Sequence, residues 1–253
     1  MILLLDIGNT HTHLGLADAR RVVRQINFPT AAWFGGAAGR HIKKILGRRS
    51  VAGAALCSVV PKATPLARGL IKQTWGLNCL VLSPATAHGI GIDYPRPETI
   101  GPDRLANAIA VKHHFGAPAV VVDFGTAVTF DVVDGRGNYV GGIIAPGLSA
   151  MTSYLHEKTA LLPRIEIRET RAIVGKNTEE AMRIGAVHGY RGLVRELIIG
   201  LKRELKCARL PVVATGGYGR LLAARLPEIT AVRPLLTLEG LRLVWQAGVK
   251  RET

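Results

Sequence analysis

The chain has 253 residues, 48% of them hydrophobic, and 33 Lys and Arg against 18 Asp and Glu give a net charge of +15. Such a length and apolar content supply one large domain or two lobes with their own cores and exclude a disordered chain, and no run approaches the ~18 consecutive apolar residues of a membrane span. The charge calls for an anionic partner such as a nucleotide, a nucleic acid or a membrane surface, yet it is dispersed: residues 1–122 hold 14 basic and 5 acidic side chains, residues 123–253 hold 19 and 13.

The chain opens on Met1-Ile2-Leu3-Leu4-Leu5, which Asp6 interrupts and no basic stretch precedes. It reads as a buried strand, not a signal peptide. In the following Asp6-Ile7-Gly8-Asn9-Thr10-His11-Thr12, Gly8 lets the backbone bend close to a ligand. Asn9, Thr10 and Thr12, with the turn's amides, offer donors that wrap phosphate oxygens. Asp6 can hold Mg²⁺ directly or through water, because a hard cation prefers carboxylate oxygen. An ordinary Asx turn after a strand is the plain alternative. His11 and His13 have metal-like spacing on one strand face, but no further His or Cys lies nearby in sequence, which argues against zinc.

The densest basic cluster, Lys43, Lys44, Arg48 and Arg49, contains no aromatic residue to stack on bases and reads as a solvated helix face. Cys57, Cys79 and Cys207 are too widely spaced for a disulfide framework or a zinc motif and read as thiols of a reducing compartment. Tyr94-Pro95-Arg96-Pro97 then leads to Gly101-Pro102-Asp103-Arg104 and a helix expected over 103–115, whose first turn suits Pro102. An Asp at that point can take a proton from an attacking hydroxyl, and Arg104 can bind an anionic group such as a carboxylate. Read alone, the two residues also fit a surface pair at a helix start. Phe115-Gly116-Ala117-Pro118 marks the expected boundary between an N-terminal lobe, 1–116, and a C-terminal lobe, 117–253.

Past that boundary the opening pattern returns. Val120-Val121-Val122-Asp123-Phe124-Gly125-Thr126-Ala127 repeats residues 3–10, and the same register sets Thr12 opposite Thr129. A duplicated strand, Asp-x-Gly turn and strand is much harder to explain as chance than one copy. The second copy would grip nucleotide phosphates from an opposite lobe. Asp134-Gly135-Arg136-Gly137-Asn138 is a hairpin turn. Gly175-Lys176-Asn177-Thr178 imitates the end of a Walker A loop, but Thr170 stands where its first glycine belongs. A long helix or helix pair is expected from Thr178 to Lys206, with Glu179 and Glu180 in its first turn. Ala181, Gly185, Gly189 and Gly192 line one side of it and suggest close helix–helix approach at a two-fold interface, or tight packing within the chain. Finally, Val212 to Thr215 is a buried strand running into Gly216-Gly217-Tyr218-Gly219, bare backbone against which a flat ring or ribose fits.

These motifs in this order, with Cys57-Ser58-Val59-Val60-Pro61 among them, resemble those of type III pantothenate kinases over nearly the whole chain. The resemblance implies an α/β, duplicated ribonuclease-H-like (actin-like ATPase) fold, two lobes around a nucleotide cleft. It implies ATP-dependent phosphorylation of pantothenate to 4′-phosphopantothenate, the first step of coenzyme A synthesis, in a cytoplasmic homodimer. On that reading Asp6, Ile7, Gly8, Asn9, Thr10, His11, Thr12 and His13 bind ATP and Thr126 contacts its phosphates. Mg²⁺ accompanies the nucleotide, and Asp123 holds a monovalent cation, K⁺ or NH₄⁺. Tyr94, Gly101, Pro102, Asp103, Arg104 and Thr178 bind pantothenate, with Asp103 as the general base. Pro102 replaces a small residue usual in the family and removes a backbone N–H; His11 stands where Asn is common. The rival readings are a nucleic-acid-binding regulatory protein on the same fold and a kinase for another small hydroxyl substrate.

Overall fold

The computed structural model describes residues 1–252, with side chains through residue 249. Its contacts separate two compact units. The first comprises residues 1–114, 137–140 and the chain from Leu235 onward; the second comprises 115–136 and 141–234.

The first unit is built on β1 (Ile2–Ile7), whose six residues ILLLDI are buried except for half-buried Asp6. It pairs antiparallel with β2 (His11–Ala17) and parallel with β4 (Gly53–Ser58). With β3 (Val22–Pro29) and β5 (Cys79–Val81) they form a five-stranded sheet ordered β3-β2-β1-β4-β5. Strand residues alternate between faces. Leu3, Leu5 and Ile7 join Leu14, Leu16 and Phe28 in a core closed by Ile42 and Ile45 of α1 (Ala38–Leu46) and Ala67 and Ile71 of α2 (Ala63–Trp75). Leu4 and Asp6 therefore face the other side, which α8 (Leu236–Glu252) covers, with Leu238 against Gly15 and Leu4. α3 (Pro102–Phe115) meets α8 at a close approach, where a Cβ on Gly240 would sit 2.0 Å from the Ala106 carbonyl oxygen. A buried hydrogen bond from Thr237 Oγ1 to Asn107 Oδ1 (2.8 Å) pins the two helices together.

The second unit repeats the plan. β7 (Ala119–Phe124), β8 (Ala127–Val133), β9 (Asn138–Pro146), β10 (Val212–Thr215) and β11 (Ala231–Val232) form a sheet ordered β11-β10-β7-β8-β9, extended by the short β6 (Gly91–Ile92) beside the start of β9. β7 reads AVVVDF with the same burial as β1, half-buried only at Asp123. The duplication is present, but its register changes after the turn. Asp6 pairs with His13, whereas Asp123 pairs with Thr129, because the first turn is one residue longer than the second. His13, not Thr12, thus occupies the place equivalent to Thr129.

α4 (Leu148–Lys158) follows β9, and α7 (Gly219–Ala223) follows β10. The expected long helix is one continuous rod: α5 (Thr178–Ile184), a π-helical turn over Gly185–Gly189, and α6 (Tyr190–Glu204). Its N-cap is Asn177, whose side chain accepts the Glu180 amide at 2.9 Å, and Thr178 is the first helical residue. Residues 159–177 form neither helix nor strand. The rod holds this segment by Arg183 to the Glu166 carbonyl (3.2 Å), by His188 to the Thr170 carbonyl (3.0 Å) and by Arg191, which grips the Glu169 carboxylate at 3.0 and 2.6 Å.

Candidate active site

At the end of β1 the buried strand delivers Asp6 to a position between His13 and Cys57 on the neighbouring strands. The Cys57 thiol donates to Asp6 Oδ1 at 3.4 Å. Burial raises the Asp6 pKa to about 7; the Asp103 carboxylate adds to the rise and the Cys57 hydrogen bond opposes it. Burial, with the charges of Asp6 and Asp103 behind it, likewise pushes the Cys57 thiol well up, so this cysteine is a proton donor and not a nucleophile. Asp103 reaches the same neighbourhood from the first turn of α3. Its Oδ1 accepts the Arg104 amide at 2.9 Å, and a Cβ on Gly101 would come within 2.5 Å of that oxygen. Burial raises its pKa, partly offset by the Arg104 amide and the Arg104 charge. Two carboxylates that repel each other on one side of the sheet favour a bound cation.

The turn after β1 is exposed at Asn9, Thr10 and His11. The Gly8 amide donates to the His11 carbonyl at 3.0 Å, while Thr30 braces the turn by donating to the Gly8 carbonyl at 2.6 Å. The side chains on either side of the tip are buried. Thr12 is wholly buried, hydrogen-bonded to Thr30 Oγ1 (3.1 Å) and accepting from the Trp33 indole (3.0 Å). Ile7 is wholly buried in the same core. Both support the turn from beneath and present no side chain at its exposed tip. His13 is engaged with Asn27 at 2.8 Å.

Beside Asp103, the Arg104 guanidinium lies over the Tyr139 ring, 5.8 Å from its centroid. Tyr94 meets the same ring at 6.2 Å with planes tilted by 58°. The parallel pairing of Ile92 with Tyr139 brings β9 here and aligns an aromatic wall with the guanidinium. Tyr139 carries no motif of its own in the sequence; the hairpin turn just before it was the one local sign that a strand began there.

In the second unit, Asp123 ends β7 beside Thr215 of β10 and opposite Thr129 of β8. Gly216 has φ +83, and a Cβ there would fall 2.5 Å from Asp123 Oδ1 and 2.6 Å from the Phe124 backbone. Only glycine lets the two chain segments meet. Thr126 is exposed at the tip of the second turn, whose Gly125 amide donates to the Ala127 carbonyl at 3.1 Å. Tyr218 bonds Ser149 at 2.7 Å on the edge of a cavity of about 400 Å³. Thr178 is exposed on α5. Asp6, Tyr94, Gly101, Pro102, Asp103 and Arg104 thus share the first unit; Asp123, Thr126 and Thr178 share the second.

Among the described residues no cluster of three or more His, Cys, Asp or Glu side chains forms a metal cage. The donor set nevertheless fits a hard cation that takes its remaining ligands from water and phosphate, for which one or two carboxylates suffice.

Paired strand-turn-strand units, each with an Asp one residue before the end of a buried strand, define an actin-like, ribonuclease-H-like ATPase fold. The inorganic polyphosphate/ATP-glucomannokinase of Arthrobacter sp. strain KM superposes with a TM-score of 0.50 at 14% identity, covering 98% of each chain, a likeness of fold alone. The sequence profile of type III pantothenate kinases matches residues 2–199. Type III pantothenate kinases of Methylacidiphilum infernorum and Akkermansia muciniphila are each 44% identical, covering 99% and 95% of this chain and 90% and 96% of their own lengths. The chain belongs to the type III pantothenate kinase family.

Proposed function

We propose that the chain transfers the γ-phosphoryl group of ATP to the primary hydroxyl of pantothenate, giving 4′-phosphopantothenate and ADP for coenzyme A synthesis. The observation that carries the reading is Asp103: a carboxylate with raised proton affinity, held by its own helix amide, next to Asp6 at the root of the phosphate turn. A base with a raised pKa is better matched to an alcohol proton than an ordinary surface Asp. The hydroxyl oxygen forms a bond to the γ-phosphorus, the bond to the β–γ bridging oxygen breaks, ADP departs, and the hydroxyl proton passes to Asp103. Phosphoryl transfer of this kind needs positioning and charge neutralisation more than covalent help.

The roles of the other residues follow from their chemistry. The exposed Asn9–His11 tip and the amides around Gly8 suit phosphate oxygens, and Thr126 suits them from the second copy. Arg104, oriented on the Tyr139 face, suits the pantothenate carboxylate, with Tyr94, Gly101, Pro102 and Thr178 as further contacts. Mg²⁺ at Asp6 would neutralise phosphate charge. Asp123 with the carbonyls of its turn would hold K⁺ or NH₄⁺. Homodimer formation is supported by the rod of α5 and α6, where Ala181, Gly185, Gly189 and Gly192 are all exposed. Among the described residues nothing lies within 4 Å of a Cβ added at any of the three glycines, which speaks against tight packing within the chain. A cytoplasmic location accords with this chemistry, and among the described residues no helix is long and apolar enough to cross a membrane.

A coupled assay of ADP release with and without pantothenate tests the reading. Pantothenate-dependent release is expected. Release that ignores pantothenate but responds to another small alcohol would assign a different substrate, and no release beside tight, sequence-selective DNA binding at physiological salt would favour the regulatory protein.

A further inference from the structure

A cavity of about 430 Å³ opens in the first unit between the C-terminal half of α3, the middle of α8 and the loop before β6. It belongs to none of the contacts described for the active site. Asp103 is at the opposite end of α3, some nine residues and roughly 14 Å away at 1.5 Å per residue. The volume lies in the range of small-molecule sites.

Its chemistry is two-sided. Ile109, Leu243 and Ala247 supply apolar wall, while Lys112, His88 and His113 stand around it, and among the described residues no acidic side chain lines it. Lys112 Nζ donates to the Gly137 carbonyl at 2.9 Å, a neutral partner. On α8, Glu239 lies 2.8 Å from His114. Arg242 stands one turn before Gln246 on α8; burial lowers its pKa, and the Glu239 and Asp18 charges oppose the fall. Arg242 is only 4% exposed, and its Nε is buried without a hydrogen-bond partner among the described residues. Its guanidinium donates instead to Gln246 Oε1 (2.8 Å) and the Ala19 carbonyl (3.1 Å), fixing Gln246 at the cavity edge. Asp18, the nearby acid, spends its Oδ1 on the amides of Arg20 and Arg21 at 2.7 and 2.8 Å. The half-buried Lys112 ammonium, held by a neutral carbonyl beside an apolar wall, favours a ligand that brings a negative group together with a hydrocarbon part.

We infer that this cavity is a second ligand site, separate from the catalytic centre, for a small amphipathic anion: one carboxylate or phosphate facing Lys112 and His113, and an aliphatic or aromatic part against Ile109, Leu243 and Ala247. Neither half suffices. Inorganic phosphate lacks the apolar contact, and a neutral alcohol of equal length brings no charge to the Lys112 ammonium.

The test is isothermal titration of the full chain with octanoate, octan-1-ol and inorganic phosphate, with saturating pantothenate and a non-hydrolysable ATP analogue present to fill the carboxylate-binding active site. Octanoate is expected to saturate at one site per chain, and octanol and phosphate to bind at least about tenfold more weakly. Ala247→Phe, which fills the cavity, abolishes binding and leaves pantothenate-dependent turnover intact. Lys112→Gln weakens octanoate about tenfold, as loss of one charge-assisted contact does, and His113→Gln provides a second reading should Lys112→Gln disturb folding. Equal binding of octanoate and octanol, no saturation up to about 10 mM, or parent-like octanoate binding by Ala247→Phe and His113→Gln would overturn the site.

Discussion

At the scale of single residues, the site is a set of carboxylates whose environments give them different tasks. Asp103→Asn keeps the shape and the Arg104 amide contact but loses the proton acceptor. Its kcat is expected to fall by ~10²–10⁴-fold while pantothenate still binds by titration; near-normal turnover would remove Asp103 from the chemistry. Because burial raises its pKa, activity should decline as the pH drops through that raised value and Asp103 takes up a proton. Asp6 bears on stability as well. A carboxyl group raised from 3.8 to about 7 favours the fold fully below its unfolded pKa, and that contribution is lost as pH rises through about 7. Asp6→Asn retains an acceptor for the Cys57 thiol without the charge. In the absence of Mg²⁺ and ATP it is expected to melt a few degrees above the parent at pH 8, with a smaller gap at pH 5. An equal gap at both values would contradict the assigned cause. Asp123 answers to salt: activity in Tris should be low, recover saturably with KCl at constant ionic strength, and fail to recover in Asp123→Ala. Full activity without K⁺ or NH₄⁺ would dismiss that role.

At the scale of elements, close approach of backbones carries the site. α3 aims Asp103 and Arg104 with α8 supporting it where Gly240 meets Ala106 and Thr237 meets Asn107, and the contact at Gly240 leaves no room for a side chain. Gly240→Ala should force the helices apart at an overpacking cost of about 1–3 kcal/mol, read as a lower urea midpoint. An unchanged midpoint would mean that α8 shifts freely. The sequence marks α3 well, through Pro102 at its start and Gly116 after its end. It does not mark the Gly240 contact, since a glycine within a helix pattern reads only as a propensity penalty. Nor does it reveal that Arg191 anchors the segment 159–177, because Glu169 and Arg191 become partners only through the fold.

At the scale of the whole molecule, the exposed small-residue side of the α5–α6 rod is the feature most in need of a partner. Three helical glycines cost roughly 1 kcal/mol each relative to alanine, and nothing within the described chain packs against them. A two-fold interface would offset that cost. Light scattering at micromolar concentration should give twice the chain mass, and Gly189→Leu should shift it toward one chain; a monomer for the unaltered protein would exclude the dimer. The net charge of +15 bears on solubility and on steering of anionic substrates.

The sequence by itself determined the strands that begin each copy, the Asp-x-Gly turns, the start of α3 and the family, because each is written in contiguous residues whose types obey a local rule. It also carried the duplication, but only up to the turn, since one additional residue there moves every later side chain by one position and so to the opposite face of β2. Tertiary structure alone decided that Thr12 belongs to the core, that Cys57 holds Asp6, that Tyr139 backs Arg104 and that α8 returns to cover the first sheet. Each of these joins residues separated by tens to hundreds of positions, and their meeting depends on strand pairing and helix packing that no local pattern encodes.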